Sequence, residues 1–158
     1  MDKLLRLIEK DCRYTSEQLA AMTGMTAPEV EEKIKEYEKN GTVLGYKALV
    51  DWDKTDREYV SALIELKVAP QRDRGFDKIA QLIYNYPEVQ SLYLMSGGFD
   101  LMLVIEGQTM KDVAYFVAYK LAPMEDIIST ATHFVLKKYK DKGVIYRAPQ
   151  LDERDQLQ

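Results

Sequence analysis

Six side chains near the start of the chain carry the donor groups that proteins use to hold nucleic acid. Arginine, lysine and hydroxyl side chains donate hydrogen bonds to phosphate oxygens, and a lysine ammonium group also donates to the acceptor edge of guanine in the major groove. The expected phosphate contacts are Arg13, Thr15 and Ser16. The expected contacts in or beside the major groove are Thr26, Lys33 and Lys35.

A second candidate site is the glycine turn at residues 96–100, Ser-Gly-Gly-Phe-Asp. Glycines let the backbone approach a small ligand closely, so their N–H groups can take an α-carboxylate, while the aspartate can pair with an α-ammonium group. The simpler interpretation is a hairpin turn followed later by threonines that are ordinary strand formers. The predicted effector-binding residues are Ser96, Gly97, Gly98, Asp100, Thr130 and Thr132.

The chain offers little for catalysis or metal binding. Its single histidine, His133, lacks the clustered partners that a metal site needs, and its single cysteine, Cys12, cannot form an internal disulfide. The sequence contains no nucleophile with an adjacent base and no phosphate-binding loop. We therefore predict no enzyme activity, no metal and no cofactor.

The donors near the start lie on a predicted set of three helices. Apolar residues at helical spacing predict a first amphipathic helix over residues 2–11. Thr15 with Gln18, and Thr26 with Glu29, each have the spacing of a capping box, which predicts a helix beginning after each threonine.

Glycines mark where the second and third helices end. Gly24 and Gly41 follow the last periodic residues, where a left-handed residue commonly closes a helix. Alternation across Thr42–Val50 predicts a short hairpin. Three helices and such a hairpin make a winged helix-turn-helix, which presents its third helix to a DNA groove.

A strand-rich pattern begins beyond a polar joint at residues 51–57. The predicted elements are strand 59–68, helix 76–86 with Ile79, Leu82 and Ile83 inward, strand 89–95, turn 96–98, strand 99–105, helix 109–121 and strand 127–139. The order βαββαβ predicts a ferredoxin-like antiparallel sheet with helices on one face.

The predicted fold class is α+β, with two domains. A winged helix-turn-helix DNA-binding domain spans residues 1–50, a linker spans 51–57, a ferredoxin-like sensing and dimerisation domain spans 58–142, and a charged tail spans 143–158. A domain of about 50 residues buries too little surface to be robust alone, and one sheet face lacks a cover. Both features predict a homodimer.

Composition sets limits on compartment and partners. The chain has 46% hydrophobic residues, no apolar run of the roughly 18 residues that span a bilayer, and no secretion signal, so we expect a cytoplasmic protein without a membrane partner. Its formal charge of −4 is unusual for a DNA binder, because phosphate neutralisation supplies much of the affinity.

Several different short motifs follow one another along the two halves of the chain. Residues 11–20 read DCRYTSEQLA, and further motifs are Gly24-Met25-Thr26, Asn40-Gly41, Pro87-Glu88-Val89, Gly97-Gly98-Phe99-Asp100 and the run at residues 128–132. Together they resemble the leucine-responsive regulatory protein/AsnC family, the feast/famine regulators, over roughly residues 2–140. The resemblance implies an N-terminal DNA-binding domain, a C-terminal amino-acid sensor whose effector lies near the glycine turn between dimers, and dimers that assemble further.

The predicted third helix departs from the family pattern in its charges. Residues 27–39 hold five glutamates against three lysines, and Lys33 stands where the family usually has arginine. A lysine offers a point charge where arginine offers a bidentate fork, so discrimination of guanine should be weaker. Glu31 and Glu32 meet phosphate repulsion unless they follow the groove wall or accept from a cytosine amine.

Two alternatives remain open at the level of the sequence. If the glutamate-rich helix repels DNA, the protein is a metabolite-binding oligomeric sensor or adaptor. Some proteins of similar two-part architecture decarboxylate a modified tetrapyrrole and rely on histidines, of which this chain has one.

Overall fold

The computed structural model describes residues 2–69 and 75–146, which form two compact units that divide after Val50. The first unit consists of the helices α1 (Lys3–Lys10), α2 (Ser16–Thr23) and α3 (Ala27–Lys39). Its buried core is Leu4, Ile8, Leu19, Val30 and Tyr37. These apolar side chains recur at helical spacing, so each helix buries one stripe against the other two.

The predicted helix starts are confirmed, because the groups that cap them are local in sequence. The Gln18 N–H donates to the Thr15 hydroxyl over 3.3 Å, and the Thr15 N–H donates to the Gln18 side chain over 2.9 Å. At α3 the Glu29 carboxylate accepts from both the N–H and the hydroxyl of Thr26, each over 2.7 Å. Gly24 ends α2 with a left-handed φ of 83°.

The hairpin predicted over Thr42–Val50 is wrong in detail. These residues form bends and unassigned backbone with no strand pairing, and Leu44 is 94% exposed. One backbone hydrogen bond connects them to α3: the Val43 N–H donates to the Tyr37 carbonyl over 3.0 Å. An isolated two-stranded hairpin is marginally stable in water, and of these residues Val43 packs against the core while 44–50 are exposed, so a ladder here has little to stabilise it.

The second unit has the βαββαβ order that the sequence predicts. Its elements are β1 (Val60–Val68), α4 (Asp77–Tyr84), β2 (Val89–Leu94), β3 (Leu101–Gly107), α5 (Met110–Phe116) and β4 (Ile127–Phe134), preceded by a 3-10 turn at Trp52–Lys54. The sheet order is β2-β3-β1-β4, and every pairing is antiparallel.

Alternation along the strands separates a core face from an open face. The helices cover buried residues that include Ala62, Ile64, Leu66, Leu101, Leu103 and Ile105. The intervening residues Leu63, Met102 and Val104 point the other way and are half-buried. The open face is therefore apolar at its centre, and within the described residues of this unit no helix covers it.

Helix α4 is shorter than predicted, and Leu82 does not point inward. Ile79 and Ile83 are buried, but Leu82 is 53% exposed. At 100° per residue Leu82 lies about 80° from the centre of the face that those two isoleucines define. An eight-residue helix needs only that narrow face to cover the sheet.

The end of the second unit also differs from the prediction. The helix predicted to Leu121 changes at Val117–Leu121 to a π-helical turn, in which the Ala122 N–H donates to the Val117 carbonyl over 2.8 Å and Leu121 is fully buried. Strand β4 stops at Phe134, which pairs with Ala62 of β1, and not at Tyr139. The Val135 N–H still donates to the Ser61 carbonyl over 2.9 Å, and the ladder with β1 ends there.

A small hairpin follows β4 and crosses the boundary predicted at residue 142. Strands β5 (Lys140–Asp141) and β6 (Val144–Ile145) pair through Lys142 and Gly143, whose φ angles of 47° and 83° suit a type I′ turn. The remainder of the predicted tail, residues 147–158, lies outside the described residues.

Candidate nucleic-acid interface and effector site

Helix α3 buries one face and leaves a distinct stripe opposite it. Val30 is fully buried and Tyr37 nearly so. At 3.6 residues per turn, the positions most nearly opposite these two form a line along the helix. This outward stripe consists of Pro28, Glu32, Lys35 and Lys39, all exposed. Its charges are two ammonium groups and one carboxylate.

Three of the five glutamates of α3 are held by neighbouring groups. Glu29 accepts from Thr26 at the helix start. Glu36 pairs with Lys33 over 2.6 Å, and Glu38 accepts from the Tyr46 hydroxyl over 2.9 Å. All three lie to the sides of the outward stripe. The acidity of the helix is therefore concentrated on its flanks, whereas the stripe itself has a small cationic surplus.

Lys33, predicted for the major groove, is drawn toward the protein. Its ammonium group contacts Glu36 and lies 5.2 Å from the centre of the Tyr37 ring, and 39% of the side chain is exposed. The Glu36 carboxylate raises the pKa of Lys33 above its ordinary value, mainly by accepting this hydrogen bond. Lys35, in contrast, is exposed and has no ion pair among the described residues.

Arg13, predicted as a phosphate contact, already holds a carboxylate. Its guanidinium donates to both oxygens of Asp11, each over 3.1 Å, while 86% of the Arg13 side chain is exposed. The Arg13 guanidinium lowers the pKa of Asp11 below its usual range, and Asp11 raises the pKa of Arg13. A phosphate that approaches Arg13 competes with Asp11.

The three predicted hydroxyl contacts lie at helix starts. Thr15 and Thr26 are the N-cap residues of α2 and α3, and Ser16 is the first residue of α2. Both threonines are exposed and Ser16 is half-buried. The beginnings of two helices carry partial positive charge and unpaired N–H groups, which favour phosphate.

The predicted effector turn has one glycine that its conformation requires. Gly97 has a φ of 137°, a backbone angle that residues with a side chain rarely adopt, and a Cβ there would meet open space. Gly98 has no such φ and also faces open space. The Met95 N–H donates to the Asp100 carbonyl over 2.8 Å and closes the turn. The turn thus presents backbone without side-chain cover.

Asp100 fastens the turn to the end of β1. Its carboxylate accepts from the Val68 N–H over 2.8 Å, and its own N–H donates to the Leu66 carbonyl over 2.9 Å. One carboxylate oxygen is thereby committed to the backbone. The other retains lone pairs that a ligand ammonium group can use.

Thr130 lies at the same end of the sheet as the turn. Leu66 of β1 pairs with Thr130 on one side and with Leu101, the first residue of β3, on the other. Two strand spacings, about 10 Å, therefore separate Thr130 from the start of β3. Thr132 lies two residues further along β4, about 7 Å away. Both threonines are half-buried and share the helix-covered face with Ile64 and Leu66. Ser96, within the turn, is exposed.

A groove of about 330 Å³ runs beside α4 and β2 and reaches the base of the turn. Leu94 and Leu101, which flank the turn, line it together with Phe76, Asp77 and Tyr84. None of the six predicted effector residues lines this groove. In the described part of the chain no three His, Cys, Asp or Glu side chains approach closely enough to hold a metal ion. His133 pairs instead with Glu65 over 3.4 Å on the open sheet face.

Three residues of the candidate interface were not predicted from the sequence: Lys39, Asp11 and Glu36. Lys39 completes the outward stripe, while Asp11 and Glu36 restrain Arg13 and Lys33. The signal for Glu36 was available, since a lysine and a glutamate three apart on a helix are neighbours. Lys39 follows from the same periodicity, applied from the buried residues outward.

Comparisons with known proteins agree with both units. Residues 61–145 match the family described as Lrp/AsnC ligand binding domain, and residues 3–43 match winged helix-turn-helix DNA-binding. The chain is 42% identical over 153 residues to YugG of Bacillus subtilis, an uncharacterized HTH-type transcriptional regulator, covering 96% of this chain and 92% of the relative. It is 26% identical to the leucine-responsive regulatory protein of Rhizobium meliloti, covering 88% of each.

A solved structure has the same fold at low identity. A transcriptional regulator from Neisseria meningitidis in complex with L-Met superposes with a TM-score of 0.71 and 23% identity, covering 89% of this chain and 93% of that one. Among the described residues, no helix is long and apolar enough to cross a membrane.

Proposed function

The chain belongs to the Lrp/AsnC family of DNA-binding transcriptional regulators, and on that premise we propose that it binds its operator through α3 and the starts of α2 and α3. In this proposal residues 1–50 bind DNA, 51–57 link, and the second unit from residue 58 through the β5–β6 hairpin senses and dimerises. The proposed DNA contacts are Arg13, Thr15, Ser16, Thr26, Lys33 and Lys35.

The outward stripe of α3 is the observation that supports DNA binding most directly. A helix with five glutamates is a poor partner for a polyanion if its carboxylates point outward. Here Glu29, Glu36 and Glu38 are engaged at the flanks, and Lys35 and Lys39 stand on the exposed line. The helix can therefore approach the major groove with a stripe on which two ammonium groups outnumber the single carboxylate of Glu32.

Gel-shift titration against genomic fragments, including the region upstream of the protein's own gene, tests this proposal. We expect a sequence-preferring complex whose affinity falls when Lys35 is replaced by alanine. Glu38→Gln is the matched control on the flank, and it should leave the preferred sequence unchanged. Equal, weak binding to all fragments at low salt would leave the sensor without a DNA target.

We further propose that the effector is an amino acid bound at the turn Ser96–Asp100, with Thr130 and Thr132 contributing hydroxyl groups. The Neisseria meningitidis regulator was crystallised with L-Met, an α-amino acid whose two charged groups suit a carboxylate and exposed backbone N–H groups. The free lone pairs of Asp100 and the uncovered Gly97 and Gly98 supply both kinds of partner.

Two substitutions of Asp100 separate its structural role from effector binding. The amide introduced by Asp100→Asn keeps an oxygen that accepts from the Val68 N–H but loses the charge that attracts an ammonium group. Asp100→Ala loses both. Calorimetry with the twenty amino acids should show binding that Asp100→Asn abolishes while the Tm changes little. Unchanged binding to Asp100→Asn would remove the carboxylate from the site.

The proposal includes a cytoplasmic homodimer that assembles further. The half-buried apolar residues Leu63, Met102 and Val104 on the open sheet face are suited to packing against a second copy. Effector binding then favours one assembly over another. Such coupling is typically about 1–3 kcal/mol, which corresponds to roughly 5- to 150-fold in operator affinity.

We assign no catalytic activity to this chain, since the relatives are named as transcriptional regulators. The alternative worth keeping is a metabolite-binding oligomeric sensor that does not bind DNA, which the exposed Glu31 and Glu32 favour. A tetrapyrrole absorbance band in the purified protein would instead support the less favoured decarboxylase.

A further inference from the structure

Glu32 is a carboxylate at the centre of the surface that faces DNA. It lies on the outward stripe between Pro28 and Lys35, is exposed, and has no hydrogen bond or ion pair within the part of the chain that the structure describes. The engaged glutamates of α3 sit on the flanks. Glu31, also exposed, lies about 70° to one side of the stripe.

A carboxylate that enters the major groove needs a hydrogen-bond donor on a base edge. Only the amino groups of cytosine N4 and adenine N6 offer one. Beside adenine N6 lies the acceptor N7, which repels the second carboxylate oxygen. Cytosine has no acceptor on its major-groove edge, so it suits a glutamate better.

Lys35 is placed to satisfy the other half of the same base pair. Residues three apart on a helix have Cβ atoms roughly 5–6 Å apart, and Glu32 and Lys35 share the outward stripe. The guanine paired with a cytosine displays the acceptors O6 and N7 beside the cytosine amine. A carboxylate and an ammonium group side by side therefore match the polarity of one C·G pair.

We propose that Glu32 and Lys35 together read a C·G base pair in the major groove: Glu32 accepts from cytosine N4, and Lys35 donates to guanine O6 and N7. This inference rests on the proposed function, DNA binding through α3. It turns the acidic character of the helix from an obstacle into a source of specificity. A thymine or guanine at the position of the cytosine offers the carboxylate no donor, and an adenine sets its N7 acceptor against the second carboxylate oxygen.

Selection from a random-sequence duplex library with the full-length protein tests the inference. The wild type should select a motif with an invariant C·G position in each half-site. Glu32→Gln should select A·T at that position, since glutamine is bidentate to adenine N6 and N7. Glu31→Gln, the neighbouring control, should bind all duplexes more tightly and select the unchanged motif.

Fluorescence anisotropy on the selected duplex then measures the size of the effect. Changing the C·G pair to T·A should lower wild-type affinity by roughly tenfold or more. Glu32→Ala should show almost no difference between the two duplexes, and Lys35→Met should lose the preference for guanine. The substituted positions are all exposed, so circular dichroism should be unchanged.

The outcomes distinguish this inference from the proposed function. If wild type and Glu32→Gln select the same motif, DNA binding stands and the reading of C·G by Glu32 is overturned. If the wild type selects no motif at all, the proposed function fails and the inference fails with it.

Discussion

The Tyr37 hydroxyl near the end of α3 donates a hydrogen bond to the carboxylate of Asp2, which also caps the start of α1. Asp2 accepts from the Leu4 and Leu5 N–H groups through one oxygen and from Tyr37 through the other. A single residue thus begins one helix and ties it to α3, the helix proposed to enter the DNA groove. Stability of the first unit and orientation of α3 are linked at this contact.

Replacing Asp2 by asparagine should lower the Tm, although the helix cap survives. Asparagine caps helices about as well as aspartate, but its amide nitrogen cannot accept from Tyr37. The expected loss is about 1 kcal/mol, since the contact joins a buried tyrosine to an exposed carboxylate and is only partly buried. Tyr37→Phe should cost a similar amount, and the double variant should cost no more than either alone. Additive losses would mean that the two residues act independently.

The same contact should shape the pH dependence of stability. The hydrogen bond from Tyr37 is the largest cause that lowers the pKa of Asp2. The stability that the ionised Asp2 contributes is therefore present above about pH 4 and is lost as pH falls through the lowered pKa. Burial, and then the Asp2 carboxylate, raise the pKa of Tyr37 to about 12. Its contribution is therefore present below about pH 10 and is lost as pH rises toward 12.

Urea titrations of the wild type and Tyr37→Phe across this range check both limbs. The difference between the two proteins should be largest at neutral pH and should shrink at either extreme. A difference that is constant with pH would show that the hydroxyl contributes through packing alone.

Gly97→Ala should destabilise the second unit, whereas Gly98→Ala should not. A Cβ at either position meets open space, so the contrast isolates the φ of 137° at Gly97. Holding a non-glycine residue in such a conformation costs about 1–3 kcal/mol. Thermal unfolding with and without an amino-acid effector measures the change. Equal Tm values for the two variants would show that the turn relaxes.

The features that the sequence predicted well are those that depend on neighbours along the chain. The capping boxes of Thr15 and Thr26 involve residues three apart, and the glycine that ends α2 acts on its own helix. Both kinds of signal depend on residues close in sequence, so they are independent of how the rest of the chain packs. The βαββαβ order of elements along the chain was predicted from the same kind of local periodicity.

The features that were mistaken depend on partners distant in sequence. The extent of β4 is set by how far it pairs with β1, and the exposure of Leu82 is set by how narrow a face α4 buries. The bond of the Asp100 carboxylate to the Val68 N–H was not predicted, because it requires two strands to meet, and the role of Asp100 as a ligand group stays a prediction. The restraint of Arg13 by Asp11 is local, but a sequence alone gives no reason to prefer it over phosphate.

Asp11→Asn should tighten DNA binding without changing sequence preference. Asp11 engages the Arg13 guanidinium through two hydrogen bonds, and removing its charge frees Arg13 for phosphate. One added phosphate contact should steepen the dependence of log affinity on log salt by about 0.9. Gel shifts at several salt concentrations measure this slope. In an Arg13→Gln background the Asp11 substitution should have little effect on the slope, and a persistent effect would exclude Arg13 as its cause.

Val104→Arg should convert the dimer to monomers, because it places a charge at the centre of the open sheet face. Val104 lies opposite Leu63 of β1 and Ser91 of β2, on the side without helices. A buried unpaired cation in an interface is strongly unfavourable. Leu82→Arg is the matched control, since Leu82 is an exposed leucine of α4, whose helix covers the other face. Sedimentation velocity should show a lower mass only for Val104→Arg, with circular dichroism unchanged in both. A dimer that survives Val104→Arg would move the subunit contact away from this face, and loss of the dimer in Leu82→Arg would move it to the helices.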